Sequence, residues 1–393
     1  MKLKARSKAY IIPEYSLTGD LLSFLTCNLQ YRYQNKGTLP PSMPIQLWFG
    51  EFIHGIMEEA YLKWDTEQLN FPWDWKTQIR PIEDMIDLRL QVRGLYPPLT
   101  QFYSTVNEEN VEITDEHDRI ASARARESIN KWGPHLFPLI DSAEVLIKGL
   151  RDMPNYAENE SRSNYYGING VIDVLSSINL NEYLNNGKRE NEIINYLKEN
   201  EKFNNNIISL KNEEYEIIID YKGMKRPSLD SANWKHHKWQ ILTYAWLRSK
   251  QEDSKKVVAG IIFYLNELVP SIHDLFSIQT DISGNNTDIL PKDSDLDKIS
   301  NWDEDKKLPE LSDKFKMDRS IRIINISEDN IENSLNEFDS VVNKIEDSLI
   351  KEINGCKIKE AWEADGDERT CTACDFKTFC RKKNSNIKEI KVP

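Results

Sequence analysis

The sequence predicts a mixed α/β fold, a central mixed β-sheet flanked by helices. Two observations predict it. Apolar residues recur at helical spacing through the first part of the chain, and short strand-like runs follow, with one helical pattern set among them. A helix is expected over Thr18–Tyr33, with Ser16 or Thr18 as cap and Leu21, Leu22, Phe24, Leu25 and Leu29 as its apolar face. A second covers Ile45–Trp64, where Phe49, Phe52, Ile53, Ile56, Met57 and Tyr61 keep helical register. Further helices are expected over Asp118–Lys131, Asn233–Lys250 and Asp329–Ile353. Strands are expected over Ala143–Leu150, Tyr165–Ser176, Tyr215–Tyr221, Val257–Leu265 and Ser320–Ile326.

Two stretches have the composition of insertions. Asn179–Glu214 is rich in Asn, Glu and Lys, with an exposed helix expected over Glu190–Lys202; Ser277–Lys316 is rich in Asp, Ser and Asn and reads mostly as loop. The chain is therefore expected to form one domain: a helical part over 1–140, a core over 141–270 and a C-terminal segment over 320–393, with insertions near 179–214 and 277–316.

Composition narrows the class. The 393 residues are 39% hydrophobic and 29% charged, which suits a globular chain with a real core. No apolar run reaches membrane-spanning length, and the basic start Met1–Arg6 leads into Ser, Lys and Tyr instead of a signal core. A cytoplasmic protein with reduced thiols is expected. No G-x-x-x-x-G-K-[ST] loop occurs, so a motor ATPase is not expected. The net charge of −13 is unusual for a protein that binds nucleic acid. A metal-using enzyme is an exception, since it gathers carboxylates and needs only local basic stretches; Lys222–Arg226, Lys235–Lys238 and Lys377–Lys383 are such stretches.

Of five cysteines, Cys371, Cys374 and Cys380 form C-x2-C-x5-C. In a reduced compartment that spacing points to metal ligands, and thiolates suit zinc and iron–sulfur clusters alike. Cys27 or Cys356 completes the usual four, or the site is open; the plain alternative is unligated core cysteines.

The second constellation is acidic. An apolar run delivers Asp173, and another ends in Asp220-Tyr221-Lys222. Period two puts Asp220 and Lys222 on one strand face, so both carboxylates can meet at one edge of a sheet. Oxygen ligands of this kind hold Mg²⁺ or Mn²⁺ for phosphodiester hydrolysis, and the lysine can orient a nucleophile or stabilise developing negative charge. Taken singly, each is as easily a surface charge at a strand end. His54, with Glu58 one turn on, and the pair Gln240 and Tyr244 extend the pattern; singly, these read as a packed histidine and an ordinary helix surface.

In chain order, Cys27, G-x3-H, G-x2-D, D-Y-K, Q-x3-Y and C-x2-C-x5-C resemble the RecB-type branch of the PD-(D/E)XK nucleases over Ser16 to Lys382. The layout is similar to the four-cysteine members, among them CRISPR-associated iron–sulfur exonucleases and the nuclease domains of recombination helicase–nucleases. The resemblance implies a restriction-endonuclease-like core and a Mg²⁺- or Mn²⁺-dependent deoxyribonuclease, more an exonuclease than an endonuclease. It implies action on single strands or ends, in repair, recombination or defence against foreign DNA. It implies His54, Asp173, Asp220 and the Tyr221 carbonyl as metal ligands, Lys222 as catalytic lysine, and Gln240 and Tyr244 facing DNA. A [4Fe–4S] cluster on Cys27, Cys371, Cys374 and Cys380 would join the two ends of the chain, leaving Cys356 unused. The chain departs from the pattern in having Ile172 before Asp173 and a long insertion between the two acidic strands. Glu144 is a further acidic candidate, or an exposed strand glutamate. DNA is the implied partner, with a helicase, integrase or other repair or defence subunit beside it. Two other classes stand as alternatives: a non-catalytic cluster-bearing scaffold that binds DNA, and a zinc-stapled protein of unrelated activity.

Overall fold

The computed structural model describes residues 12–37, 45–97, 120–157, 161–178, 191–200, 214–377 and 380. Met1–Arg6, most of the Asn179–Glu214 insertion and most of the basic Lys377–Lys383 stretch lie outside the described residues. The strands are β1 (Glu14–Ser16), β2 (Ser142–Asp152), β3 (Tyr165–Ile178), β4 (Tyr215–Lys222), β5 (Val257–Tyr264) and β6 (Ile321–Asn325). They form one six-stranded sheet in the order β1-β3-β4-β5-β6, with β2 on the other side of β3. The β1–β3 and β4–β5 pairs are parallel, and β2–β3, β3–β4 and β5–β6 are antiparallel. The expected fold class, a central mixed sheet flanked by helices, is what the chain adopts.

The main helices are α1 (Asn28–Asn35), α2 (Ile45–Glu67), α3 (Arg80–Val92), α4 (Ile120–Leu136), α5 (Ala232–Arg248) and α6 (Glu328–Ile353). β4 and β5 are apolar runs buried along almost their whole length, as parallel strands covered on both faces must be. Their alternate residues enter different cores. Ile217, Ile219 and Tyr221 pack with α2, α3 and α4, whereas Ile218 packs with α1, α5 and α6. Helix α5 is the crossover between parallel β4 and β5, and Ser231 caps it by accepting the Trp234 N–H.

Four details correct the sequence reading. The expected Thr18–Tyr33 helix is a π-helical turn over Leu17–Leu22 and a short turn over Ser23–Thr26, broken at Cys27 (φ −168°, ψ 119°) before α1 begins. The helix in the first insertion, Glu192–Glu199, is not an exposed one: Ile193, Ile194 and Leu197 lie in the α2–α4 core. The second insertion is loop over about half its length, but it also carries helices and a core of its own that its composition did not announce. Helices Ile272–Ser283, Asp293–Ser300 and Asp313–Ser320 enclose a satellite core of Leu275, Ile278, Ile299, Trp302, Leu311 and Phe315. Strand β1 and helix α3 were not expected.

The two ends of the described chain are bonded directly. Leu29 N–H donates to the Glu363 carbonyl at 3.0 Å, Asn28 N–H to Asp365 Oδ1 at 2.9 Å, and Arg32 grips Glu352 through Nε and Nη2 at 2.7 and 2.5 Å. Trp362, fully buried beside Phe24 and Tyr31, fills the space between them.

Candidate active site

The antiparallel register Val174↔Ile219 brings Asp173 on β3 against the end of β4. Asp173 Oδ2 accepts the Tyr221 N–H at 2.8 Å and stands 3.3 Å from His54 Nδ1 on α2. One residue further along β4, the side chains turn to the other face. Asp220 Oδ2 lies 2.6 Å from Lys222 Nζ, and Gln240 on α5 joins both residues. Its Nε2 donates to Asp220 Oδ1 at 3.1 Å and its Oε1 accepts from Lys222 Nζ at 3.0 Å. The same Nε2 lies 3.3 Å from the Tyr244 hydroxyl. Tyr244 is seated by Gly170: a Cβ there would stand 2.5 Å from the tyrosine ring, so only glycine lets the ring this close to β3. Both helical layers thus reach one strand end, α2 through His54 and α5 through Gln240.

Charge in this setting is costly. Burial first, then the Asp220 carboxylate, pushes Asp173 up to about 6; His54, Lys222 and the Tyr221 N–H oppose the rise. Glu144 is also pushed up to about 6, by burial and then by Asp173 and Glu58. Its backbone is left-handed, with φ 51°, a strained conformation for glutamate. Here β2 breaks pairing with β3, since Ala143 and Val145 keep register and Glu144 does not. Glu144 is thus turned into the cleft, half-buried, instead of lying on an open strand face.

That cleft, about 470 Å³, runs between the α2–α3 pair and the β2–β3 strands, with His54, Glu58, Glu144 and Asp173 in its lining. Arg89 and Arg93 on α3 and Glu51 on α2 line it too. Sequence reasoning missed the two arginines because α3 went unassigned, and Glu51, one turn before His54 on an assigned helix, was not singled out. The signal was present in Ile82, Ile86 and Leu90, spaced four apart among charged residues.

The donor set suits a hard divalent ion: two carboxylates and an imidazole at one strand end. Asp220 Oδ2 is shut off from solvent and, despite its closeness to Lys222 Nζ, has no partner in hydrogen-bonding geometry. A buried carboxylate oxygen left in that state is what a cation would satisfy. Among the described residues, no three His, Cys, Asp or Glu side chains are gathered tightly enough to hold one ion as they stand. Lys222 and His54 sit beside the two carboxylates instead.

Cys27, Cys371, Cys374 and Cys380 line a second pocket of about 350 Å³ between α1 and the C-terminal turns. Cys371 Sγ lies 3.4 Å from the Gly366 carbonyl, and a Cβ on Gly366 would stand 3.3 Å from Cys27 Cβ. Burial first, with further contributions from Cys27 and Cys380, raises the Cys374 thiol. Cys356 is exposed and stands outside that lining.

A mixed sheet with helices on both faces, and a carboxylate pair and lysine at the joint end of an antiparallel strand pair, is a restriction-endonuclease-like architecture. Residues 207–381, a little under half of the chain, match the model of the PD-(D/E)XK nuclease superfamily. That segment carries Asp220, Lys222, Gln240, Tyr244 and four of the five cysteines, three of them in the pocket lining; His54, Glu144, Asp173 and Cys27 precede it. No curated protein matches the chain. Among the described residues, no helix is long and apolar enough to cross a membrane.

Proposed function

We propose that this chain is a divalent-metal-dependent deoxyribonuclease of the RecB-type branch, acting as an exonuclease on single strands or DNA ends. The observation that carries the reading is the joint end of β3 and β4. There Asp173, Asp220 and Lys222 meet, with Asp220 Oδ2 buried beside the Lys222 ammonium and without a partner in hydrogen-bonding geometry. His54, Asp173, Asp220 and the Tyr221 carbonyl would hold Mg²⁺ or Mn²⁺. When bound, the ion polarises the phosphoryl oxygen and lowers the pKa of attacking water. Lys222 then offers its ammonium to the negative charge that develops on the phosphate. Gln240 keeps that ammonium in place through Oε1 while its Nε2 holds Asp220. Buried Tyr244 limits where Gln240 can go. Both residues are positioning groups in this reading, set behind the carboxylates.

The four thiols around one pocket favour a [4Fe–4S] cluster on Cys27, Cys371, Cys374 and Cys380. Its role would be structural, adding to the hydrogen bonds that already tie α1 to residues 352–365. The protein would work in the cytoplasm, in repair, recombination or defence, beside a helicase or integrase.

The test is digestion of end-labelled single- and double-stranded DNA with Mg²⁺ or Mn²⁺, using anaerobically purified protein and its Lys222→Ala variant. Cleavage lost in the variant at unchanged iron content is the expected result. Equal cleavage by both would remove Lys222 from the chemistry. No cleavage by iron-loaded protein would favour a non-catalytic DNA-binding scaffold.

A further inference from the structure

We infer that Arg89 and Arg93 form a phosphate track, a pair of guanidiniums on the α3 wall that binds the backbone of a single nucleic-acid strand entering the cleft. The inference rests on the nuclease reading and adds to it the surface that takes the substrate.

Ile86, Arg89, Leu90 and Arg93 all line the cleft, spaced as one helical face must be. Ile86 and Leu90 are 3% exposed and root the wall in the core, while the Arg89 and Arg93 side chains are 55% and 54% exposed. The wall is fixed closely to α2, because a Cβ on Gly55 would stand only 2.9 Å from Ile86 Cδ1. Arg93 follows directly on α3, and helical rise sets the two arginine α-carbons about 6 Å apart along the axis; their side chains reach Glu59 and Glu51, about two turns apart on α2, so each can address its own phosphate.

Both arginines have partners, but weak ones. Arg93 Nη1 meets Glu51 Oε2 at 2.8 Å, and Arg89 Nη1 meets Glu59 Oε1. Arg89 Nη2 adds only a weak contact to Met85 Sδ at 3.6 Å; both side chains are exposed, most of their guanidinium donors stay free, and these pairs contribute little to stability. The apolar packing of Ile82, Ile86 and Leu90 holds α3 in place without them. A phosphodiester can therefore draw both arginines off their glutamates and take a two-pronged contact from each.

The balance of charge makes this binding conditional. Glu51, Glu58, Glu144 and Asp173 line the same cleft, so without a cation at its floor an entering polyanion meets more negative charge than positive. A divalent ion at the floor offsets two of those four negative charges, and the two arginines then balance the rest instead of being outweighed. Nucleic acid should then bind well only in the presence of that ion.

The experiment measures fluorescence anisotropy of a labelled single-stranded oligonucleotide across a salt series, with and without Mg²⁺. Lys222→Ala protein serves as the parent, so that the probe stays intact. Adding Arg89→Ala and Arg93→Ala should weaken Mg²⁺-dependent binding about ten-fold or more. It should also reduce the slope of log K against log salt by roughly 1.4, the share of two phosphate contacts on a single strand. Adding Arg89→Lys and Arg93→Lys should keep most of that slope, which separates lost charge from lost folding. An unchanged slope in the alanine variant, or a parent that does not bind, overturns the inference. Cleavage by the unmutated protein is scored separately. Cleavage with an unchanged slope sinks the track alone, and a lost slope without any cleavage sinks the catalytic reading alone.

Discussion

Strand β4 carries two acidic residues on one face, four positions apart, and helix α5 answers both. At the start of the strand, Glu216 receives Arg248 Nε and Nη2 at 2.8 and 2.7 Å, with both side chains almost fully buried. The carboxylate is matched by a planar fork, and nothing there calls for a further ligand. At the end of the strand, Asp220 meets a lysine and one amide, and its Oδ2 has no partner in hydrogen-bonding geometry. Same strand, same face, same covering helix: one pair is closed on itself and the other is left open. On the proposed reading, the difference separates a charge kept for stability from a charge kept for chemistry, since local satisfaction is given up where a site must accept something from outside.

Substitution at the open end should have the largest effect, and mainly on activity. Lys222→Ala should lower kcat about a hundred-fold or more, the scale of removing one preorganised charge from a transition state. Some thermal stability should go too, because buried Asp220 loses the ammonium 2.6 Å away, so activity is compared per folded molecule. A variant that loses activity only in proportion to lost folded protein would erase the contrast between the two ends.

The closed end should behave in the opposite way. Arg248→Ala leaves Glu216 buried and unpaired, which costs about 3 kcal/mol or more. The expected result is a large drop in urea midpoint, with cleavage per folded molecule nearly unchanged. A destabilisation under about 1 kcal/mol would mean that the Glu216–Arg248 pair is solvated enough to be an ordinary surface bridge.

A smaller effect separates metal binding from folding. Asp173 is pushed up to about 6 by burial and by Asp220, so its charge at neutral pH opposes folding. Asp173→Asn keeps an acceptor for the Tyr221 N–H and removes that charge. Metal-free protein should gain about 1 kcal/mol at pH 7.5, while the rise in Tm on adding Mg²⁺ should shrink or vanish. An undiminished Mg²⁺ shift would place the ion away from Asp173.

The open end of this contrast was legible in the sequence, for physical reasons, while the Glu216–Arg248 pair was not read. Apolar runs such as Ile217–Ile219 and Val257–Ile262 announce buried strands, and period two fixes which side chains share a face. The approach of Asp173 to Asp220 was readable as a shared sheet edge, though the Val174↔Ile219 register was not. Other features depend on contacts far apart in the chain. Strand β1 is three residues long and exists by pairing with Gly167–Asn169. The break at Cys27 lies inside an unbroken helical pattern, and Asn28 and Leu29 bond there to residues 363–365. The polar composition of Ser277–Lys316 hid a satellite core because its apolar residues are few and widely spaced. Asp288, set in that insertion, binds Arg226 and Arg322 together, a link that no local pattern announces.

The smallest expected effect lies beside the open end. His237 Nδ1 is 3.0 Å from the Tyr264 hydroxyl, and burial, with Lys222, His236 and Arg322 facing the ring, pushes its pKa down to about 2. The sign follows from linkage. Between that value and the unfolded one of about 6.5, the unfolded chain holds a proton that the folded chain does not, so stability falls as pH drops below about 6.5. Partial exposure of the ring keeps the loss to about 1 kcal/mol between pH 6.5 and 5.5. Asp173 and Glu144, both raised to about 6, act with the opposite sign over the same range. The difference between unmutated protein and His237→Gln at each pH therefore isolates the histidine. Urea midpoints at pH 7.5 and 5.5 should draw together by that amount in the variant. If the two proteins lose stability in parallel, His237 takes up its proton in the folded state, and the positive charge around Lys222 is better screened than its neighbours imply.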